Sequence, residues 1–162
     1  MRKTLIISTL LLLANAATAQ ELLGTEGSWK IYSLKQDNKK ICYLASTPTK
    51  SSGTFKKRAD PYFLVTQKGK DQAEVSASSG FAYQKETDVH ITLNTKTKFR
   101  LFTQDALSWA RDAKTDNGIV NAMTKASTMT VRGTSKKSTF AEDTYSLKGF
   151  EKALQKLKSS CQ

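Results

Sequence analysis

Histidine occurs once, at His90, and cysteine only twice, at Cys42 and Cys161. Three such side chains are too few for a protein-only zinc site of the usual kind, and the cysteine spacing matches none. Acidic residues are scarce too, 14 against 26 lysines and arginines. They are dispersed, without the spacing of an EF-hand loop. Neither a metal nor a cofactor is therefore expected. Proline is confined to Pro48 and Pro61, positions that read as strand edges or turns. Beyond residue 19 no apolar run is long enough to cross a bilayer. A G-x-S-x-G nucleophile elbow is missing. "RGTSKKST" has glycine, lysine and hydroxyls, but it lacks the phosphate-loop spacing and joins two strand-like segments instead of opening a helix.

What is present starts with "MRKTLIISTLLLLANAATAQ". Two cations, an apolar run from Leu5 to Ala14, and small residues at Ala17 and Ala19 read as a secretory signal peptide spanning residues 1–19. Residues 20–162 then form a single β-rich domain, exported to the periplasm or cell envelope, or released. Without Arg2 and Lys3 of the leader, 24 basic side chains face 14 acidic ones. The cations gather where turns are expected: Lys39-Lys40, Lys56-Lys57-Arg58, Lys68, Lys70 and Lys136-Lys137. Scattered in this way, without a recognisable RRM, KH or helix-turn-helix pattern, they describe a solvated surface, and no nucleic-acid partner is expected. Weak attraction to anionic envelope or host-cell surfaces remains open, and with it a polyanion-binding module.

Short β-like segments dominate. "GSWKIYSL" and "KKICYLAS" form a first hairpin, and "PYFLVTQ" and "AEVSASS" flank the turn "KGKDQ". "DVHITLN" pairs with "KFRLFTQ", and "STMTVRGT" with "FAEDTYSL". Val, Ile, Thr, Tyr and Phe supply the strand propensity. "TDNGIVNAMTKAS" reads as a short inserted helix, with Asp116 as N-cap. Phe150, Ala153, Leu154, Leu157 and Cys161 recur at helical spacing, with Lys148, Lys152 and Lys156 opposite. The expected architecture is mainly β: an antiparallel β-sandwich or partly open barrel of about seven or eight strands with an inserted and a C-terminal helix.

Export places both thiols in an oxidising compartment, which favours a Cys42–Cys161 disulfide. Cys161 lies on the buried stripe of the terminal helix. Cys42 shares a strand face with Leu44, while Ile41 and Tyr43 share the other. In the chain-entropy account, closing a loop of 119 residues is worth roughly 5 kcal/mol. The bridge leaves no sulfur for catalysis.

Two places invite a functional reading. His90 falls on the polar face of its strand, opposite Val89, Ile91 and Leu93. It reads as a surface residue, and an unorthodox hydrolase using it is the alternative. "LSWARDAKTDNG" carries Trp109, Arg111 and Asp112. These make a candidate surface site, since Trp and Arg are frequent binding anchors. The structural alternative is a core tryptophan beside an Arg–Asp pair that closes a turn. Trp29 and Tyr32 read as core.

The ordered segments "GSWKIY", "ICYLASTP", "RADPYFLVT", "FRLFTQDALSWARDAKTDNGIVNAM", "STMTVRGTS" and "DTYSLKGF…C" resemble the invasion-associated locus B family of exported bacterial proteins. The resemblance covers about Ser28 to Cys161. It implies a β-rich periplasmic or envelope domain, associated in some members with host-cell entry. The family pattern includes further cysteines in its later half, where this chain has only Cys161, and it supplies no catalytic residue. The expected function is a non-enzymatic envelope protein that binds an envelope component or partner.

Overall fold

Alternating apolar and polar side chains set most of the strands in a computed structural model that describes residues 20–37 and 39–161. The expected signal peptide, residues 1–19, lies outside the described residues. The elements run β1 (Gln20–Glu26), β2 (Trp29–Gln36), β3 (Lys39–Ser46), β4 (Lys50–Gly53), β5 (Tyr62–Gly69), β6 (Gln72–Ser78), β7 (Val89–Leu93), β8 (Thr97–Gln104) and β9 (Leu107–Trp109). Helix α1 (Ala113–Met123), strands β10 (Thr128–Thr134) and β11 (Phe140–Ser146), and helix α2 (Phe150–Ser160) follow.

All strands join one antiparallel sheet in the order β1-β2-β3-β5-β6-β9-β8-β7-β10-β11-β4. Strand β8 is its corner. Thr97–Leu101 pair with β7, and Phe102–Gln104 pair with β9. The two halves fold over one another, so Phe63 of β5 and Tyr145 of β11 meet edge to face at 6.0 Å. The Trp29 indole N–H of β2 donates to the Ser146 carbonyl at 3.1 Å. Between the halves lie Ile31, Leu44, Val65, Val75, Val89, Ile91, Leu101 and Val131, all buried. Ile119 and Met123 of α1 and Phe150, Ala153 and Leu157 of α2 close the core.

The eight expected strands, their hairpins and both helices are present, and the mainly β class holds. Among the described residues the strand count is eleven, not seven or eight. The additional strands carry weak local signals. Strand β4, "KSSG", is wholly exposed, and β9 has three residues. Strand β1 exists by pairing with β2 from Glu26↔Trp29 to Gln20↔Leu34, with one irregularity between Leu22 and Gly24.

A second correction concerns α1. Its N-cap is Asp112, not Asp116: the Asp112 carboxylate accepts from the Thr115 N–H at 2.7 Å. The first helical turn, "AKTD", has little apolar content, so periodicity starts the helix a turn late. Asp116 is instead 8% exposed. It accepts from the Val75 N–H at 2.7 Å, on the stretch of β6 that the short β9 leaves uncovered. Burial pushes its carboxyl above the usual range, partly offset by that hydrogen bond.

Two clamps hold the fold. Cys42 and Cys161 form the expected disulfide, with their Cα atoms 6.1 Å apart, a separation that suits a bridge. At the other end of α2, Gly149 (φ +86°) packs on the β1–β2 turn, where a Cβ would strike the Glu26 carbonyl. The second clamp is ionic. Arg58, expected among solvated loop cations, has a side chain only 6% exposed, against 1% for Asp143. Its guanidinium donates from Nη1 to Asp143 Oδ2 at 2.7 Å and from Nη2 to Asp143 Oδ1. It also reaches the Ser79 carbonyl and the Ser51 hydroxyl, and lies 4.2 Å from the Phe55 ring centroid. The hydrogen bond to Asp143 raises the guanidinium pKa above its ordinary value.

Candidate functional site

Directly opposed residues in an antiparallel pair point to the same face. Ile31, Ser33, Cys42, Leu44, Phe63 and Val65 are buried on the core side. Their sequence neighbours Tyr32, Leu34, Ile41, Tyr43, Tyr62 and Leu64 must therefore stand on the outer side of β2, β3 and β5. Those six line a shallow hollow of 510 Å³. The rings of Tyr32 and Tyr43, opposed in register, stack at 5.5 Å between centroids and 27° between planes. Burial, then the neighbouring Tyr32, pushes the Tyr43 phenol up, so it stays a protonated donor at neutral pH. Leu22, on the adjoining β1, is 54% exposed. Tyr32 is thus an outer-face residue and not the core residue the sequence suggested. Trp29, wholly buried, meets that expectation.

The sequence-derived candidates stand farther along this surface. Lys30 opposes Ala45, Ala45 opposes Leu64, Leu64 opposes Ser76, and Ser76 opposes Trp109. Trp109 therefore shares a cross-strand row with Leu64. It is half-buried in β9 and tilted against Phe102 at 5.7 Å. Arg111 lies 5.8 Å from the Phe102 ring centroid and donates to Asp88 at 2.7 Å. Its salt-bridge partner is thus Asp88. Asp112 caps α1, and the Thr115 N–H holds its carboxyl below the usual range. Trp109, Arg111, Asp112 and Phe102 line a second hollow of 470 Å³. The three candidates do come together, with Phe102 as a member that the sequence reading missed.

His90 occupies the outer side of the other half-sheet. It is exposed and opposed in register by Arg100 on β8 and Arg132 on β10. Two cations in register supply neither the acid nor the hydroxyl that an acid–base role needs. No group of three or more His, Cys, Asp or Glu side chains capable of holding a metal occurs among the described residues. No helix among them is long and apolar enough to cross a membrane.

The outer aromatic surface was signalled in the sequence by a broken alternation. "KICYLA" and "YFLV" are apolar at successive positions, the pattern of strands covered on both faces. The surface supplies apolar area, ring faces and phenolic donors, which are means of binding.

Among known proteins, a family model described as invasion associated locus B (IalB) protein matches residues 29–158. No curated protein matches the chain. Among solved structures, the chain is similar to the crystal structure of invasion associated protein B from Bartonella henselae, at 17% identity and a TM-score of 0.63. That match covers 86% of this chain and 97% of the other. At this identity the likeness speaks to the fold, and the family model carries the assignment. The chain belongs to the invasion associated locus B family.

Proposed function

We propose that this chain is an exported, non-enzymatic envelope protein that works by binding another protein through the outer face of β1, β2, β3 and β5. One observation carries the reading. Strands whose apolar pattern calls for cover on both sides present Tyr32, Leu34, Ile41, Tyr43, Tyr62 and Leu64 on the side that the fold leaves open. An apolar patch of this kind, rimmed by polar residues, marks an interaction surface. Lys30 and Lys39, exposed on the same face, bracket the aromatic band. The partner that fits has apolar side chains within a carboxylate rim. Trp109 and Arg111 extend the same surface as an outlying anchor.

A photocrosslinking residue placed at Ile41, and separately at His90, tests this in intact envelopes. The expected result is a discrete, saturable protein adduct from Ile41 alone. Tyr32→Ser with Tyr43→Ser abolishes it, and Lys30→Glu with Lys39→Glu weakens it. The same adducts from both positions, or none from Ile41, overturn the reading. An adduct unchanged by Trp109→Ala with Arg111→Ala removes those two from the site.

A further inference from the structure

A different surface opens beside the disulfide. A cleft of 580 Å³ is lined by Cys42, Cys161 and four lysines, Lys40, Lys68, Lys70 and Lys158, against one acid, Asp71. It runs into a second cleft of 310 Å³ that shares Gln67, Gly69, Lys70, Asp71 and Lys158 with it. The second cleft lies between α1 and α2 beneath the β5–β6 hairpin, and its apolar lining is Ala73, Val120, Leu154 and Leu157. Each volume falls within or near the range of about 300–1,000 Å³ typical of ligand pockets.

The charges are unevenly committed. Lys40 donates to the Ser160 carbonyl at 2.9 Å, Lys158 stands 3.6 Å from Asp71, and Lys68 pairs with Glu74 at 3.2 Å. Lys70 has no carboxylate within salt-bridge distance among the described residues. One acid against three of these lysines leaves the mouth net positive even when each contact is counted. At the junction with the apolar branch, the buried Gln67 amide oxygen has no hydrogen-bond partner among the described residues. A cationic mouth continuous with an apolar branch matches one chemical class of ligand.

We infer that this joined cleft is a site for a single-chain anionic amphiphile, with a carboxylate or phosphate head at the lysines and its acyl chain between α1 and α2. The head is attracted without a bidentate clamp, because lysine acts as a point charge. Specificity therefore comes from joining charge to chain. The site lies apart from the aromatic face proposed above and stands or falls independently of it.

Calorimetric titration of the intact mature protein with decanoate, decyl phosphate, decanol and butyrate tests the inference. Saturable one-to-one binding of decanoate or decyl phosphate is expected, and the tighter of the two identifies a fatty-acid or a phospholipid-derived ligand. Lys70→Glu with Lys158→Glu should weaken that binding about tenfold or more. Leu154→Glu should remove the advantage of decanoate over butyrate. Tyr32→Ser with Tyr43→Ser should leave the titration unchanged, so that failure of the aromatic-face reading is seen separately. The inference is overturned if neither anion binds saturably, if butyrate equals decanoate, or if decanol equals it and the lysine variant has no effect. Circular dichroism of each variant shows whether a loss reflects the site or the fold.

Discussion

The half-sheet of β1, β2, β3, β5, β6 and β9 and the half-sheet of β7, β10, β11 and β4 are held by opposite chemistry. In the first, a covalent bond ties α2 to β3, and Trp29 meets Phe150 at 4.9 Å. In the second, Asp143 faces inward at the middle of β11 and is neutralised by an arginine arriving from the loop before β5. A disulfide involves no desolvated charge and depends on the redox state of the compartment. A buried ion pair loses the hydration of both partners, so its geometry must be complete before it stabilises anything. The outer sides differ in parallel. One carries tyrosines and aliphatics, while the other carries the polar and charged residues Arg100, His90, Thr130, Arg132 and Glu142. The half-sheet with the covalent clamp is also the one whose outer side is lined by aromatic and aliphatic side chains.

Removing the covalent clamp is the strongest test of this contrast. Cys42→Ala with Cys161→Ala is expected to lower stability by up to about 5 kcal/mol, measured by urea unfolding. Reductant should then shift the wild-type midpoint and leave the variant unmoved. An equal response of both proteins to reductant would break the comparison.

Breaking the ionic clamp comes next. Asp143→Leu strands the Arg58 guanidinium and is expected to destabilise by about 3–5 kcal/mol, while adding Arg58→Met should restore most of that loss. The single substitution should leave the response to reductant intact. If the double variant were no more stable than Asp143→Leu alone, the serine and carbonyl contacts of Arg58, not its charge pairing, would be what the second half-sheet needs.

The smallest effect sharpens the contrast at α1, which bridges the halves. The folded-state carboxyl of Asp116 is raised above its ordinary value of 3.8, so the native state holds this proton more tightly than the unfolded chain. The resulting contribution is fully present below 3.8 and is lost as pH rises through the raised folded range. Asp116→Asn keeps an oxygen for the Val75 N–H and drops the charge. Its unfolding curves across mildly acidic to neutral pH should show a flatter dependence, with neutral-pH stability equal to or slightly above the wild type. A steeper dependence would mean that the carboxylate is stabilised where it lies.

The legible parts of this fold are those whose signal is local. The β2–β3 hairpin, the stripe of α2 and the pairing of Cys42 with Cys161 all follow from period and compartment, because each segment shows its buried side in its own spacing. Strand β4 shows nothing of the kind: "KSSG" is a strand only because β11 offers Ala141 to Thr144 as partners. Arg58 was unreadable for a related reason. Beside Lys56 and Lys57 it looks like one more loop cation, and its acid lies 85 positions away in sequence. At the candidate site, Trp109 and Arg111 drew notice by residue type. Tyr32 was assigned to the core from its type, and the outer band went unseen although "KICYLA" and "YFLV" carry apolar side chains in both directions. Alternation tells which residues share a side, and only the assembled sheet tells which side stays open.

Helix α2 comes after all eleven strands in chain order, and it carries the half of the sulfur bridge that β3 awaits. During synthesis, Cys42 is made early, and its sulfur has no partner within the chain until Cys161 follows the last strand and α2. Closure of the ring therefore acts as a completion mark, and a chain that stalls before residue 150 remains chemically distinguishable from a finished one.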